Sequence, residues 1–169
     1  TEYELRAAAY ENGRKLAEGS TTVRTWQDNP PVKETIKLKD IYGGSGDLML
    51  YGICGSDDGW VKIDGEGMTV DAGKLTYDAV VISKCRNLIF ENVRVRGGLD
   101  ACIAIDSASK NIRIVNCDIA EWGLGSVFDN KSGLYMRSGT TFNYSAGIIA
   151  CASENLVIER CYIHDSDTN

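Results

Sequence analysis

Two aspartates stand at comparable places in the chain. Asp78 opens Asp78-Ala79-Val80-Val81-Ile82, and Asp100 opens Asp100-Ala101-Cys102-Ile103-Ala104-Ile105. Aligned on the alanine that follows each, they fall at one position on neighbouring strands, where carboxylates lie about 5 Å apart. Like charges that close raise one pKa and set an acid beside a base, the arrangement glycoside hydrolysis uses. Asp78 and Asp100 are therefore the catalytic candidates. A second alignment, matching Ile82 with Ile105 and Asn87 with Asn111, sets Asp78 against Ala101 instead. In that register the aspartates cap strand starts.

A second group lies between Ala120 and Ser145, where Trp122, Lys131, Arg137 and Tyr144 bring rings and cations together with Glu121, Asp129 and Tyr135. Rings stack on pyranose faces, and Arg or Lys pairs with sugar carboxylates, so this set reads as substrate-binding. The competing reading packs Leu134, Met136 and Phe142 inward as an irregular part of a repeat. His164 is the only histidine and joins the binding candidates. Arg94, Asp118 and Tyr162 share one outward place, where an Arg94–Asp118 contact is a surface ion pair of little energetic weight. Cysteines at 54, 85, 102, 117, 151 and 161 include no CxxC, so no metal-ligand spacing is present and no metal or cofactor is identified.

The elements that position these residues come from an internal repeat. Asn87-Leu88-Ile89-Phe90-Glu91-Asn92-Val93-Arg94-Val95 matches Asn111-Ile112-Arg113-Ile114-Val115-Asn116-Cys117-Asp118-Ile119, and both match Asn155-Leu156-Val157-Ile158-Glu159-Arg160-Cys161-Tyr162-Ile163. Apolar residues alternate within each copy, but the parity changes at Glu91-Asn92 and at the equivalent places in the other two. A one-residue slip turns every side chain of a strand to its other face, so one straight strand cannot carry this pattern. Two short strands meeting at a corner can. The inward columns are then Leu88/Ile112/Leu156, Phe90/Ile114/Ile158, Val93/Cys117/Cys161 and Val95/Ile119/Ile163. A third strand precedes each Asn, and Asn87, Asn111 and Asn155 are expected to stack as a ladder at the intervening turn. Units of this kind stack in parallel register, roughly 4.8 Å apart.

With 169 residues, the chain has material for one well-buried domain. Its 18 Lys and Arg stand against 24 Asp and Glu, a net charge of −6, which argues against nucleic acid as a partner. No apolar run approaches the roughly 20 residues that span a bilayer, so no membrane insertion is expected. The first residues, Thr1-Glu2-Tyr3-Glu4-Leu5-Arg6, contain no signal-peptide core. Tyr3 to Glu18 reads as a short helix through Leu5, Ala8, Ala9 and Leu16, ended by Gly19. The last residues include no closing element, so further coils or a partner chain are expected beyond the final strands.

The repeat resembles the right-handed parallel β-helix proteins, the superfamily of pectate lyases and polygalacturonases. Val61-Lys62-Ile63-Asp64-Gly65-Glu66-Gly67 looks like an early coil of that family, and Thr35–Gly43 and Leu48–Tyr51 look like its first strands. Asp100-Ala101-Cys102-Ile103-Ala104-Ile105 is similar to the polygalacturonase motif Asp-Asp-Cys-Ile-Ala-Ile, with Asp100 at the first acid and Ala101 in place of the second. The family's Gly-His-Gly and Arg-Ile-Lys motifs are absent. The resemblance implies an all-β fold: a right-handed parallel β-helix open at its C-terminal end, with a capping helix over residues 1–19 and coils over 20–169. An irregular coil or loop falls at about 120–145. It further implies a hydrolase or lyase acting on an extracellular polysaccharide, an extracellular or periplasmic location, and Ca²⁺ as the cofactor such lyases use. The alternative is a non-catalytic solenoid serving as a binding, adhesin or structural module.

Overall fold

The computed structural model describes residues 2–24, 29–123, 127–137, 140–141 and 145–166, in two units, Thr1–Pro30 and Pro31–Asn169. Nearly all of its regular structure is strand.

The first unit corrects the expected helix. Residues 2–24 form an antiparallel hairpin of β1 (Glu2–Glu11) and β2 (Arg14–Arg24). Asn12 and Gly13 make the connection at φ 48° and 79°. Asn-Gly is the preferred pair for a two-residue turn with both φ positive, whose twist matches that of the flanking strands. Tyr3, Leu5, Tyr10 and Leu16 are all exposed on this hairpin.

In the second unit β3 (Val32–Lys37) leads into one helical turn, Leu38–Ile41, where the sequence reading carried a strand on to Gly43. The chain then passes through three parallel sheets in a fixed order. The first sheet holds β4 (Leu48–Tyr51), β7 (Asp78–Ser83), β10 (Ala101–Ile105) and β16 (Ala146–Ala150). The second adds β5 (Trp60–Asp64), β8 (Arg86–Glu91), β11 (Lys110–Val115) and β17 (Glu154–Glu159) beside β3. The third holds β6 (Thr69–Asp71), β9 (Arg94–Arg96), β12 (Asp118–Ala120) and β18 (Tyr162–His164). Between β12 and β16 lies a separate antiparallel sheet of β13 (Val127–Asp129), β14 (Leu134–Arg137) and β15 (Thr140–Thr141).

Register follows the repeat. Leu88 pairs with Ile112 and Ile112 with Leu156, while Val95 pairs with Ile119 and Ile119 with Ile163. The parity change has a single cause at each corner. Asn92, Asn116 and Arg160 adopt left-handed backbone at φ 58°, 50° and 52°, which turns the chain between the second and third sheets. Leu88, Phe90, Val93 and Val95 are consequently all buried despite their mixed parity. Gly65 serves an earlier corner, where a Cβ would come within 2.4 Å of the Asn92 carbonyl oxygen. One apolar cluster gathers side chains from all three sheets, including Ile82, Leu88, Phe90, Ile112, Ile114 and Ile119. Ile158 and Ile163, in the last strands, are each 43% exposed.

Asn87, Asn111 and Asn155 form the expected ladder, all at φ between 51° and 58°. Asn111 donates its amide to the Asn87 oxygen at 2.6 Å, and Asn155 donates to Asn111 at 2.8 Å. Asn tolerates the left-handed region better than most residues, and here its side chain also bonds along the stack. Among the described residues no helix is long and apolar enough to cross a membrane.

Candidate functional site

The third sheet turns Val70, Val95 and Ile119 into the core, so alternate residues face outward. Register places Thr69, Arg94, Asp118 and Tyr162 in one outward column, with Asp71, Arg96, Ala120 and His164 in the next. Ionic contact runs diagonally between the columns. Asp118 pairs with Arg96 at 2.9 Å, correcting the Arg94–Asp118 contact expected from the repeat. Arg96 also donates from Nη1 to the Asp118 carbonyl at 2.9 Å, which fixes its guanidinium against β12.

His164 extends the network. Its Nε2–H donates to Asp118 Oδ1 at 2.9 Å and its Nδ1–H to Asp165 Oδ2 at 2.8 Å. A carboxylate on each nitrogen favours the protonated ring, which donates from both. These bonds, to Asp165 first and Asp118 second, hold its pKa above the ordinary histidine value. Burial pushes the Asp118 carboxyl up, but the hydrogen bonds from His164 and Arg96 outweigh it and leave Asp118 below the ordinary carboxylate range. Tyr162 stacks on His164 with ring centroids 3.9 Å apart, and the residue is 65% exposed.

A shallow cleft of about 460 Å³ adjoins this face at the corner with the second sheet, lined by Glu66, Asn92, Arg94, Asn116 and Asp118 among others. Most of its charges are already matched. Glu66 pairs with Lys37 at 2.6 Å and Lys39 at 3.1 Å, and these bonds hold its carboxyl below the usual range. Asp118 is taken by Arg96 and His164. Asn92 donates to Asp64 at 3.2 Å and Asn116 to Glu91 at 3.2 Å, while Arg160 donates to the Asn116 oxygen at 2.9 Å. Arg94 differs: it donates to the Gly67 carbonyl at 3.3 Å, and no ion pair joins it to a carboxylate among the described residues. The cleft thus presents one guanidinium toward solvent with its neighbouring acids neutralised.

The other sequence candidates lie elsewhere. Ala101 pairs with Asp78, and the Asp100 amide donates to the Tyr77 carbonyl at 2.7 Å, so the two aspartates are one residue out of step. This overturns their in-register stacking and selects the alignment on Ile82 and Asn87. Trp122 is half-buried against the main apolar cluster. Lys131 is exposed in the turn after β13, and Arg137 ends β14. Tyr144 lies outside the described residues. Of the proposed binding set, His164 belongs to the network beside the cleft. Arg96 was not singled out from the sequence, because its contacts reach Asp118 and so cross both strand and column.

Among the described residues no three His, Cys, Asp or Glu side chains gather as a metal cluster. Ca²⁺ takes six to eight oxygen ligands, and the acids here are instead engaged by Lys, Arg and His. The chain matches no protein-family model, no curated protein and no solved structure. The likeness to pectate lyases and polygalacturonases thus rests on the repeat and the short sequence motifs.

Proposed function

We propose that the chain is a right-handed parallel β-helix that binds an acidic polysaccharide along the outer face of its third sheet. The strand order, repeated through three parallel sheets with one turn ladder, supports a coil that stacks on itself. The observation that carries the ligand reading is Arg94, the cleft cation with no carboxylate partner among the described residues, in the same outward column as the exposed Tyr162 two strands away. A guanidinium takes a uronate carboxylate through two parallel hydrogen bonds. An exposed ring offers a sugar its flat face.

Binding suits this chemistry better than hydrolysis. Glycoside hydrolysis needs one protonated and one ionised carboxyl across the scissile bond. Glu66 and Asp118 are both held below the ordinary carboxylate range, which favours their ionised forms, and His164 is held above the ordinary histidine value between two acids. We therefore place the chain with the binding and adhesin-like solenoids of an extracellular or periplasmic setting, ahead of the hydrolases and lyases. The test is affinity electrophoresis in gels containing polygalacturonate or a neutral glucan, with reducing ends and unsaturated products assayed in parallel. Retardation by the acidic polymer alone, without product, is the expected result. Release of product would restore the enzymatic reading, and equal mobility in both gels would remove the ligand.

A further inference from the structure

Six cysteines are present, and two of them occupy one column at the corner between the second and third sheets. Asp118 pairs with Tyr162 across β12 and β18, so the residues just before them, Cys117 and Cys161, are neighbours in register. The Tyr162 amide donates to the Cys117 carbonyl at 2.9 Å and fixes this register at the cysteines themselves. Both side chains occupy the inward slot that Val93 fills one pass earlier. Cys117 donates to the Val115 carbonyl at 3.3 Å and Cys161 to the Glu159 carbonyl at 3.4 Å, the same contact one pass apart.

We propose that Cys117 and Cys161 are a redox-modification site, which a low-molecular-weight disulfide converts into an intramolecular disulfide tying the pass that holds β18 to the one that holds β12. Neighbouring parallel strands are separated by about 4.8 Å, within the span of roughly 4.4–6.8 Å between Cα atoms that a disulfide bridges. Access favours attack from one side. Cys117 is 2% exposed, whereas Cys161 is only partly buried. Of the remaining cysteines, Cys102 is flanked in register by Ala79 and Gly147, Cys85 is fully buried close to Cys54, and Cys54 and Cys151 are exposed.

The chemistry balances as thiol–disulfide exchange. Cys161, the more accessible of the two, is the attacking thiol: the interaction with Cys117 lowers the Cys161 thiol, while the same interaction and burial push Cys117 up. With oxidised glutathione, the Cys161 sulfur attacks one sulfur, the S–S bond breaks, and one glutathione thiolate leaves. Cys117 then loses its proton to solvent and attacks the Cys161 sulfur of the mixed disulfide, releasing the second glutathione. Two protein thiols lose two electrons in all, and one glutathione disulfide becomes two thiols. Because Asp118 and Tyr162 follow the two cysteines directly, the bond also ties together two residues of the candidate site.

The full chain incubated with oxidised glutathione, then digested without reduction and mapped by mass spectrometry, tests the proposal. A cross-linked peptide pair carrying Cys117 and Cys161, lost on reduction, is expected, together with slower amide exchange across β18. The double variant Cys54→Ser/Cys151→Ser should retain both results. Cys161→Val, which fills the slot as Val93 does, should lose the cross-link and leave Cys117 unmodified. Recovery of Cys117 and Cys161 as free thiols after Cys54 and Cys151 have taken up glutathione overturns the proposal, as does glutathione held at Cys161 without transfer to Cys117.

Discussion

Asn111 donates its side-chain amide to Asn87 across 2.6 Å while holding nearly the same backbone angle, φ 56° against 51°. The pair shows how one residue type serves two needs. The turn requires left-handed backbone, and the stack requires a side chain that donates on one side and accepts on the other. Asn111→Ala loses both hydrogen bonds and places a Cβ without compensation at positive φ, so a loss of roughly 1–3 kcal/mol is expected in urea unfolding. Asn111→Gly keeps the backbone freedom and should lose less. Equal costs for the two would mean that backbone conformation plays no part.

Burial separates equivalent positions within one column. Ile114 is fully buried, while Ile158, its partner in register, is 43% exposed. Ile114→Ala should therefore cost about 2–5 kcal/mol through lost burial and the cavity left behind. Ile158→Ala should cost well under half of that. Denaturant midpoints with unchanged slopes would check the contrast, and a similar loss at both sites would contradict it.

The His164 network makes stability depend on pH from two directions. His164 is raised in the folded state, so its contribution is complete below its unfolded value of 6.5 and fades as pH rises through the higher folded value. Asp118 is lowered, so its contribution is present above its unfolded value of 3.8 and fades as pH falls through the lower folded value. Both act together between these limits. His164→Gln should flatten the alkaline arm of a plot of melting temperature against pH and leave the protein nearly unchanged above that arm. An unaltered alkaline arm would show that His164 gains no proton affinity on folding.

The hairpin depends on its two turn residues. Gly13 sits at φ 79°, so Gly13→Val strains the turn with a β-branched side chain. Amide exchange in β1 and β2 should accelerate, while that of β8 and β11 stays as it was. Unchanged protection in β1 and β2 would contradict this account of the turn.

The repeat is legible in the sequence because each copy carries its own markers, an Asn at the turn and a parity change at the corner. Both are local features, and both follow from left-handed residues that the fold needs at those points. The hairpin is harder to read. Leu5, Ala8, Ala9 and Leu16 imitate a helical stripe, and the Asn12-Gly13 signal lies inside it. Register between passes decided the fate of Asp78 and Asp100: a shift of one residue separates a stacked pair from a staggered one. The Arg96–Asp118–His164 network is the least legible, since its members come from three passes and meet on a diagonal.

The central claim is that Arg94 makes the cleft selective for a sugar carboxylate. Isothermal titration calorimetry of a galacturonate oligomer and its fully methyl-esterified counterpart tests it most directly. The acidic oligomer should bind at least about tenfold more tightly, a difference of ~1.4 kcal/mol. Arg94→Ala should bring the two affinities together, and Arg94→Lys should restore only part of the gap, because an ammonium cannot make the paired contact. Equal binding of the two oligomers by the unaltered protein, or a preference that survives Arg94→Ala, would contradict the account.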